Sequence, residues 1–208
     1  MKKRGIIALI LSIILLIIIF LFDVPIIRVL ELSRTPYLDY AFLSVAFASN
    51  VLIIFFFLTT IFLWHERKRR WIFPLWLSCL LSFLISLLLK IIVRRIRPFE
   101  QNIVTALRIL FYTLQNSFST WNFSFPSFQA VLVFSALPIL NKEYPKFKYI
   151  WLIFALLVAF SRVYFGVHYL SDVLGGAIVG YLIGMTMVWL EERYKLGKRI
   201  IKKLKLSK

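Results

Sequence analysis

The sequence predicts an all-α protein, a bundle of six transmembrane helices that forms one integral-membrane domain over residues 1–208. Of the 208 residues, 61% are hydrophobic and only 17% are charged, whereas a soluble domain is about half apolar and about a quarter charged. The apolar residues form blocks near the length of about 20 residues that crosses a bilayer. Short segments rich in Lys and Arg separate several of these blocks.

The six predicted spans are residues 5–22, 40–64, 71–93, 125–140, 149–165 and 170–190. The first span follows Lys2, Lys3 and Arg4, a start that it shares with signal peptides. The run is long, however, and the Phe-Asp-Val-Pro sequence at residues 22–25 does not resemble a small-residue cleavage site, so we expect a retained span. The fourth span is the shortest, and Pro126 at its start suits the first turn of a helix.

The positive charges predict the orientation of the bundle. Eighteen of the 26 Lys and Arg residues lie at the N-terminus, in the loops around residues 67–70 and 142–148, and in the tail at residues 191–208. Cytoplasmic loops carry an excess of Lys and Arg, so we expect both termini, including this basic tail, in the cytoplasm. In the sixth span, Gly176, Gly180 and Gly184 recur every four residues, which predicts close packing of two helices.

A formal net charge of +17 would also suit a protein that binds nucleic acid. The apolar blocks exclude that class, and we expect membrane lipids and a lipid substrate as partners, with no nucleic acid. Cys79 is the single cysteine, and His65 and His168 are the two histidines. These are too few for a cysteine or histidine metal cluster, so the sequence predicts no metal and no cofactor.

Basic side chains on the outer side flank the third and fifth spans. Lys90 lies in the last turns of the third span, Arg97 follows it, and Arg162 lies near the end of the fifth. Charged residues near apolar spans are functional candidates, although long basic side chains also reach for lipid headgroups. For Arg94 and Arg95 we favour the headgroup interpretation.

Two further signals lie on the same side. Ser127 opens the fourth span, where free N–H groups at a helix start favour an anion, although an ordinary helix cap looks the same. His168 and Asp172 are four residues apart and share a helix face. A carboxylate on one ring nitrogen leaves the other free to attack; the alternative is a structural His–Asp pair. With Arg162 they favour a metal-free phosphoryl-transfer site, which works by positioning and charge stabilisation.

These residues resemble the motifs of the type 2 phosphatidic acid phosphatase (PAP2) superfamily, in its integral-membrane lipid phosphatase branch, which is related in fold to vanadium haloperoxidases. Its first motif, Lys-x6-Arg-Pro, is matched by Lys90 and Arg97-Pro98. Its third motif, Ser-Arg-x5-His-x3-Asp, is matched by residues 161–172. The motif-bearing part covers about residues 90–184, and the resemblance implies a PAP2-like helical bundle.

The resemblance also implies a role for each matched residue. His168 would attack phosphorus and form a phosphohistidine, which water would then hydrolyse, and Asp172 would orient His168. The phosphoryl oxygens would be bound by Lys90, Arg97, Ser127 and Arg162.

The second motif departs from the family pattern, since Pro-Ser-Gly-His is here Pro126-Ser127-Phe128-Gln129. The family's histidine is the general acid, and Gln129 at this degenerate position can donate a hydrogen bond but not a proton. A lipid diphosphate expels a phosphate monoester with a pKa of about 6, which needs far less protonation than an alkoxide with a pKa of about 16. We therefore expect a lipid phosphatase that favours polyprenyl or other lipid diphosphates.

A catalytically impaired or inactive relative that binds lipid phosphates is the alternative, because the second motif loses both its glycine and its histidine. Retention of His168 and Asp172 opposes this alternative, since a binder needs no oriented nucleophile. A transporter is less favoured, because the sequence shows no paired broken spans and no mid-membrane acid.

The segment between the third and fourth spans, residues 99–121, has apolar residues at near-helical spacing with polar residues between them. This pattern predicts a helix that lies in the membrane interface and assists substrate entry. A helix that covers the end of the bundle fits the same pattern equally well.

Overall fold

The computed structural model describes residues 3–101 and 123–203, and within them all regular structure is helical. The α-helices are α1 (Lys3–Leu32), α2 (Pro36–Ala48), α3 (Val51–Trp64), α4 (Ile72–Val93), α5 (Phe128–Glu143), α6 (Lys148–Tyr164), α7 (Leu170–Tyr194) and α8 (Leu196–Lys203). Short 3-10 helices cover Glu66–Trp71, Pro98–Gln101 and Pro145–Phe147. The predicted all-α class is confirmed for this part of the chain.

The described helices that are long and apolar enough to span a membrane are fewer than the six spans predicted from the sequence. Among the described residues, three stretches are long and apolar enough to cross a bilayer, namely Glu66–Val93, Pro145–Tyr164 and Leu170–Tyr194. The pair α2 and α3 makes a fourth if it is counted as one broken span. The first predicted span falls within α1, and the fourth falls on α5, which has only 16 residues. The six-span bundle stays a prediction.

The second predicted span is not one continuous helix. It breaks between Ala48 and Val51, where α2 and α3 meet at an angle of 60°. Local hydrogen bonds explain the break, because the Asn50 side chain accepts from Leu52 N–H at 2.9 Å and caps the start of α3. Ser49 Oγ donates to the Ala46 carbonyl at 2.8 Å, which satisfies one of the carbonyls left free at the end of α2.

The glycine pattern of the sixth predicted span has the packing role that its spacing indicates. A Cβ atom added at Gly180 would lie 2.2 Å from the Val131 carbonyl oxygen, and one at Gly184 would lie 2.2 Å from that of Ser135. Only residues without a side chain allow so close an approach of α7 to α5. This contact fixes the height of α5, and hence of the residues at its N-terminus.

The two ends of the bundle differ in chemistry. At the end that we call the basic end, Lys68 donates to the Glu143 carbonyl at 3.2 Å, and Arg70 pairs with the Glu143 carboxylate at 2.7 Å. The tail helix α8 joins them there, since a Cβ at Gly197 would lie 1.9 Å from the Arg70 carbonyl oxygen. Three of the four segments that the charge pattern assigns to one side of the membrane therefore lie together, namely the two basic loops and the tail helix.

The opposite end, which we call the motif end, holds the end of α4, the start of α5 and the connection between α6 and α7. The predicted interfacial helix follows Pro98 in the sequence. Its first residues, Phe99 to Gln101, form part of a 3-10 helix, and the remainder lies outside the described residues.

Candidate active site

The first motif lies where α4 ends. Lys90 occupies its last turn and is buried, and its ammonium donates to the Phe123 carbonyl. Arg94 ends the helix with a left-handed backbone, φ 49°, which turns the chain back over the motif end. Arg97 follows three residues later, is buried, and donates to the Val167 carbonyl at 3.2 Å.

Ser127 stands at the N-cap of α5 and is fully buried. Its backbone N–H donates to the Asp172 carbonyl at 3.1 Å, which ties the start of α5 to the start of α7. Its hydroxyl has no hydrogen-bond partner among the described residues. The site thus has a buried donor at a helix N-terminus, a position that favours an anion.

Arg162 forms hydrogen bonds to the break between α2 and α3. Its Nη2 donates to Ser49 Oγ and to the Ala46 carbonyl, the latter at 3.3 Å. Its Nε is buried and finds no partner among residues 3–101 and 123–203. The break in the second span therefore supplies the acceptors that hold one edge of the guanidinium, while Nε stays available to a ligand.

His168 and Asp172 lie at the connection between α6 and α7. Gly166 adopts a positive φ of 63°, and the N–H groups of Val167 and His168 donate back to the Arg162 carbonyl, so the turn places His168 beside Arg162. His168 Nδ1 lies 3.8 Å from Asp172 Oδ2. This separation is too long for a hydrogen bond, but it shows which ring nitrogen faces the carboxylate.

The predicted phosphate ligands and the His–Asp pair come together in one buried cluster. The charge of Arg97 acts on Lys90, Arg162 and His168 alike, and that of Lys90 acts on Asp172 and His168. Burial, with the positive charges of Arg97 and Lys90, lowers the pKa of His168 to about 3. The imidazole is therefore neutral at physiological pH, as a nucleophile must be.

The two residues that depart from the second motif lie in the first turn of α5. Gln129 is the second residue of that helix and is partly buried. Phe128, in the place of the family's glycine, packs its ring edge-on against Phe83 of α4 with centroids 6.2 Å apart. The side chain of Phe128 thus has a packing role of its own.

A second set of polar residues at this site is not marked by the sequence motifs. Arg95, which we assigned to lipid headgroups, instead forms ion pairs with Asp172 at 2.8 Å and with Asp23 at 2.7 Å. Asp23 belongs to α1 and is 1% exposed. An acid at the end of an apolar run is a functional signal, and it could have marked Asp23. Its partners lie 72 and 148 residues away along the chain and could not be inferred from local patterns.

Comparison with known families shows what the chain is related to. The model of the PAP2 superfamily matches residues 71–195. A stretch of 145 residues is 30% identical to the undecaprenyl-diphosphatase of Sulfolobus acidocaldarius and covers 67% of this chain and 65% of that one. Shorter matches are 38% identical over 66 residues to the bacitracin transport permease protein BcrC of Bacillus licheniformis and 41% identical over 59 residues to phosphatidylglycerophosphatase B of Bacillus subtilis. The three alignments span 65%, 32% and 29% of these relatives, so each covers less than two thirds of its relative.

Two solved structures have a similar fold. The transmembrane PAP2-type phosphatidylglycerolphosphate phosphatase of Bacillus subtilis superimposes with a TM-score of 0.69 at 24% identity, over 90% of this chain and 96% of that one. LpxE of Aquifex aeolicus superimposes with a TM-score of 0.62 at 26% identity, over 81% of this chain and 95% of that one. Since the family model covers more than half of the sequence, the chain belongs to the PAP2 superfamily and is an integral membrane protein of that family.

Proposed function

We propose that this protein hydrolyses lipid phosphates through a phosphohistidine at the outer face of the membrane and favours lipid diphosphates over monophosphates. The observation that carries the proposal is the unfilled hydrogen-bonding capacity of the cationic cluster. Ser127 Oγ and Arg162 Nε are both buried without a partner in the described part of the chain. Buried polar atoms are normally paired, so two such donors beside buried cations indicate a site for an anionic ligand.

The reaction begins with attack of His168 on phosphorus. Nδ1 faces Asp172, so Nε2 is the nitrogen that carries the lone pair to phosphorus, and an N–P bond forms as the bond to the leaving oxygen breaks. The imidazole becomes cationic, and Asp172 stabilises it and holds its orientation. Water then attacks phosphorus, inorganic phosphate is released, and the electron pair of the N–P bond returns to Nε2.

The cations stabilise the charge that spreads over the equatorial phosphoryl oxygens. Arg162 presents Nε, and Ser127 adds its hydroxyl at the N-terminus of α5. Arg97 and Lys90 contribute charge from the same buried cluster. These groups are held by other parts of the protein before substrate arrives, as electrostatic catalysis requires.

The preference for diphosphates follows from Gln129. A general acid contributes about 10²- to 10⁴-fold when the leaving oxygen needs a proton, and an amide cannot supply one. A phosphate monoester leaves with a pKa of about 6, so its departure needs little protonation. The relative named undecaprenyl-diphosphatase is consistent with this class of substrate.

The test is phosphate release by purified protein from a polyprenyl diphosphate and from the monophosphate with the same lipid chain. We expect faster release from the diphosphate, and none from either substrate with His168→Gln. Faster release from the monophosphate would contradict the proposed preference. No release from any lipid mono- or diphosphate would contradict an enzymatic function.

The second candidate is a lipid-phosphate binder without turnover, which is supported by Phe128 and Gln129 in place of the family's glycine and histidine. Trapping with a lipid diphosphate labelled in its terminal phosphate separates the two candidates. The enzyme places acid-labile label on the wild type but not on His168→Gln. The binder retains labelled lipid without any covalent label.

A further inference from the structure

We propose that Asp23 and Arg95 are positioning residues, which hold the Asp172 carboxylate beside His168 and keep a net negative charge at that point. Asp23 lies outside the three sequence motifs, and Arg95 occupies one of the six unspecified positions of the first. The inference rests on the proposed function, in which His168 becomes cationic when it attacks phosphorus.

Asp23 is bound at both carboxylate oxygens. Oδ1 accepts from the Ser171 N–H at 3.0 Å, and Oδ2 accepts from Arg95 Nη2 at 2.7 Å and from the Ser171 hydroxyl. Its side chain is 1% exposed. A carboxylate of α1 is therefore fixed against the first turn of α7, one residue before Asp172.

Arg95 connects the two acids. Its Nη1 donates to Asp172 Oδ1 at 2.8 Å, while Nη2 donates to Asp23. The guanidinium lies 3.9 Å from the ring centroid of Tyr169 and 4.4 Å from that of Phe20, so cation–π contacts from two rings hold its plane. Arg95 has no freedom to move toward a lipid headgroup without breaking these contacts.

The remaining oxygen of Asp172 is also occupied. Oδ2 accepts from the Tyr169 N–H at 2.8 Å and from the Ser124 hydroxyl, and it is the oxygen that faces His168. Arg95 thus holds one side of the carboxylate and leaves the other directed at the imidazole. These contacts to both oxygens fix the orientation of the Asp172 carboxylate before any substrate binds.

Charge gives Asp23 its role. Arg95 and Asp172 alone would be a neutral pair, which offers little stabilisation to a cationic imidazole. With Asp23 the three side chains carry one net negative charge within a buried cluster, where charges interact strongly. The attack of His168 on phosphorus creates a positive charge next to that cluster, and this is the moment when Asp23 lowers the barrier.

A purely structural tie between α1 and α7 would give the same contacts, so the test needs a readout of His168 itself. The variant is Asp23→Asn, which keeps the shape but removes the charge. The matched control is Asp39→Asn, because Asp39 also pairs with an arginine, Arg34, at 3.3 Å, and bonds to Tyr164 at 2.8 Å, without contacting Asp172. The chain has only two histidines, so ¹⁵N-histidine NMR of the detergent-solubilised protein reports His168 with His65 as an internal reference.

We expect Asp23→Asn to lower kcat on a polyprenyl diphosphate by about 10- to 100-fold and to change KM by less than about twofold. A loss of this size is typical when a residue that orients a metal-binding side chain is replaced. The ¹⁵N chemical shifts of the His168 ring change in this variant, and those of the His65 ring do not. Asp39→Asn changes neither kcat nor the His168 signals. Wild-type kcat and wild-type His168 signals in folded Asp23→Asn would overturn the proposal.

A second comparison covers poor folding of the first variant. Arg95→Gln leaves two buried carboxylates without their cation, and burial of an uncompensated charge is strongly destabilising. We expect a lower yield of monodisperse protein for Arg95→Gln and recovery in Asp23→Asn/Arg95→Gln. A double variant no better than Arg95→Gln would overturn the charge argument.

The design separates this inference from the proposed function. A wild type that hydrolyses no lipid phosphate contradicts the proposed function, whereas the NMR comparison still decides whether Asp23 orients His168. If the wild type is active and Asp23→Asn leaves the His168 signals unchanged, only the positioning role is contradicted.

Discussion

Gln129 illustrates how much the chemistry of a single residue decides at the site. It follows Ser127 by two positions in the first turn of α5, so it begins the same helix whose N-terminus faces the cationic cluster. Its amide has no acidic proton, and the chain has no third histidine to replace the missing acid. Under the proposed function, we expect leaving-group acidity to separate good from poor substrates.

The variant Gln129→His tests this reasoning directly. We expect turnover of a lipid monophosphate to rise by about 10²- to 10⁴-fold, the usual contribution of a general acid, with a much smaller gain on the diphosphate. The variant also gains an alkaline limb in kcat/KM against pH, because the imidazole must be protonated to act. The control is Gln129→Asn, which we expect to show neither effect. Equal gains on both substrates would contradict the leaving-group argument.

The ionisation of His168 gives a second prediction at this scale. Burial and the charges of Arg97 and Lys90 lower its pKa to about 3, so the neutral imidazole prevails at every pH above that value. We expect the ring ¹⁵N signals of His168 to stay constant between about pH 5 and pH 8. A midpoint near the ordinary histidine pKa of about 6.5 would show that the cluster is wetter and less positive than the structure indicates.

At the scale of elements, the break between α2 and α3 is the feature with the clearest functional consequence. A continuous helix would use the carbonyl of Ala46 in its own hydrogen bonds, whereas the break leaves it to accept from Arg162 and from Ser49. The residues that hold Arg162, which we propose to bind phosphate, therefore come from a helix end within a predicted span.

The variant Ser49→Ala removes one acceptor from Arg162. A hydrogen bond to a charged group contributes about 1.5–3 kcal/mol, so we expect kcat/KM to fall about tenfold or more as Arg162 loses its fixed position. Ser44→Ala is the control, because Ser44 lies in α2, the helix that Ser49 caps, is exposed, and within the described part of the chain bonds to the Tyr40 carbonyl at 3.0 Å. Equal activity of Ser49→Ala and Ser44→Ala would show that the hydrogen bond from Arg162 to Ser49 is dispensable.

The sequence was a good guide to elements and a partial guide to the site. Glycine spacing predicted the packing of α7, and the six-span topology predicted that Lys90, Arg162 and His168 would share one end of the bundle. Hydropathy could not reveal the break, because Ser49 and Asn50 are two polar residues in a long apolar run; the capping preference of Asn50 was the available signal. Asp23 and Arg95 escaped because their meaning depends on contacts between distant segments.

For the whole molecule, the separation of a basic end from a motif end supports the predicted orientation in the membrane. The contacts of Glu143 with Lys68 and Arg70 gather the basic loops, and Arg34 lies over the ring of Tyr164 at the opposite end, with 5.4 Å to its centroid. The positive-inside rule assigns the first group to the cytoplasm.

Cysteine labelling tests this orientation. In a Cys79→Ser background, we expect a membrane-impermeant maleimide added to intact cells to label Thr35→Cys, at the start of α2. Lys146→Cys, at the basic end, is labelled only after the cells are permeabilised. Both positions are exposed, so a difference in labelling reports sidedness. The reverse pattern would place the motif end in the cytoplasm.

The burial of α5 has a consequence for biosynthesis. From Ala130 to Leu140 only Phe134 escapes full burial, so α5 offers little surface to lipid and depends on its neighbours for a stable environment. Its closest neighbour, α7, is translated later. A nascent chain that has not yet reached Leu170 therefore lacks the glycine face on which α5 rests, and the start of α5, with Ser127 and Gln129, takes its final position only when the last part of the bundle has been inserted.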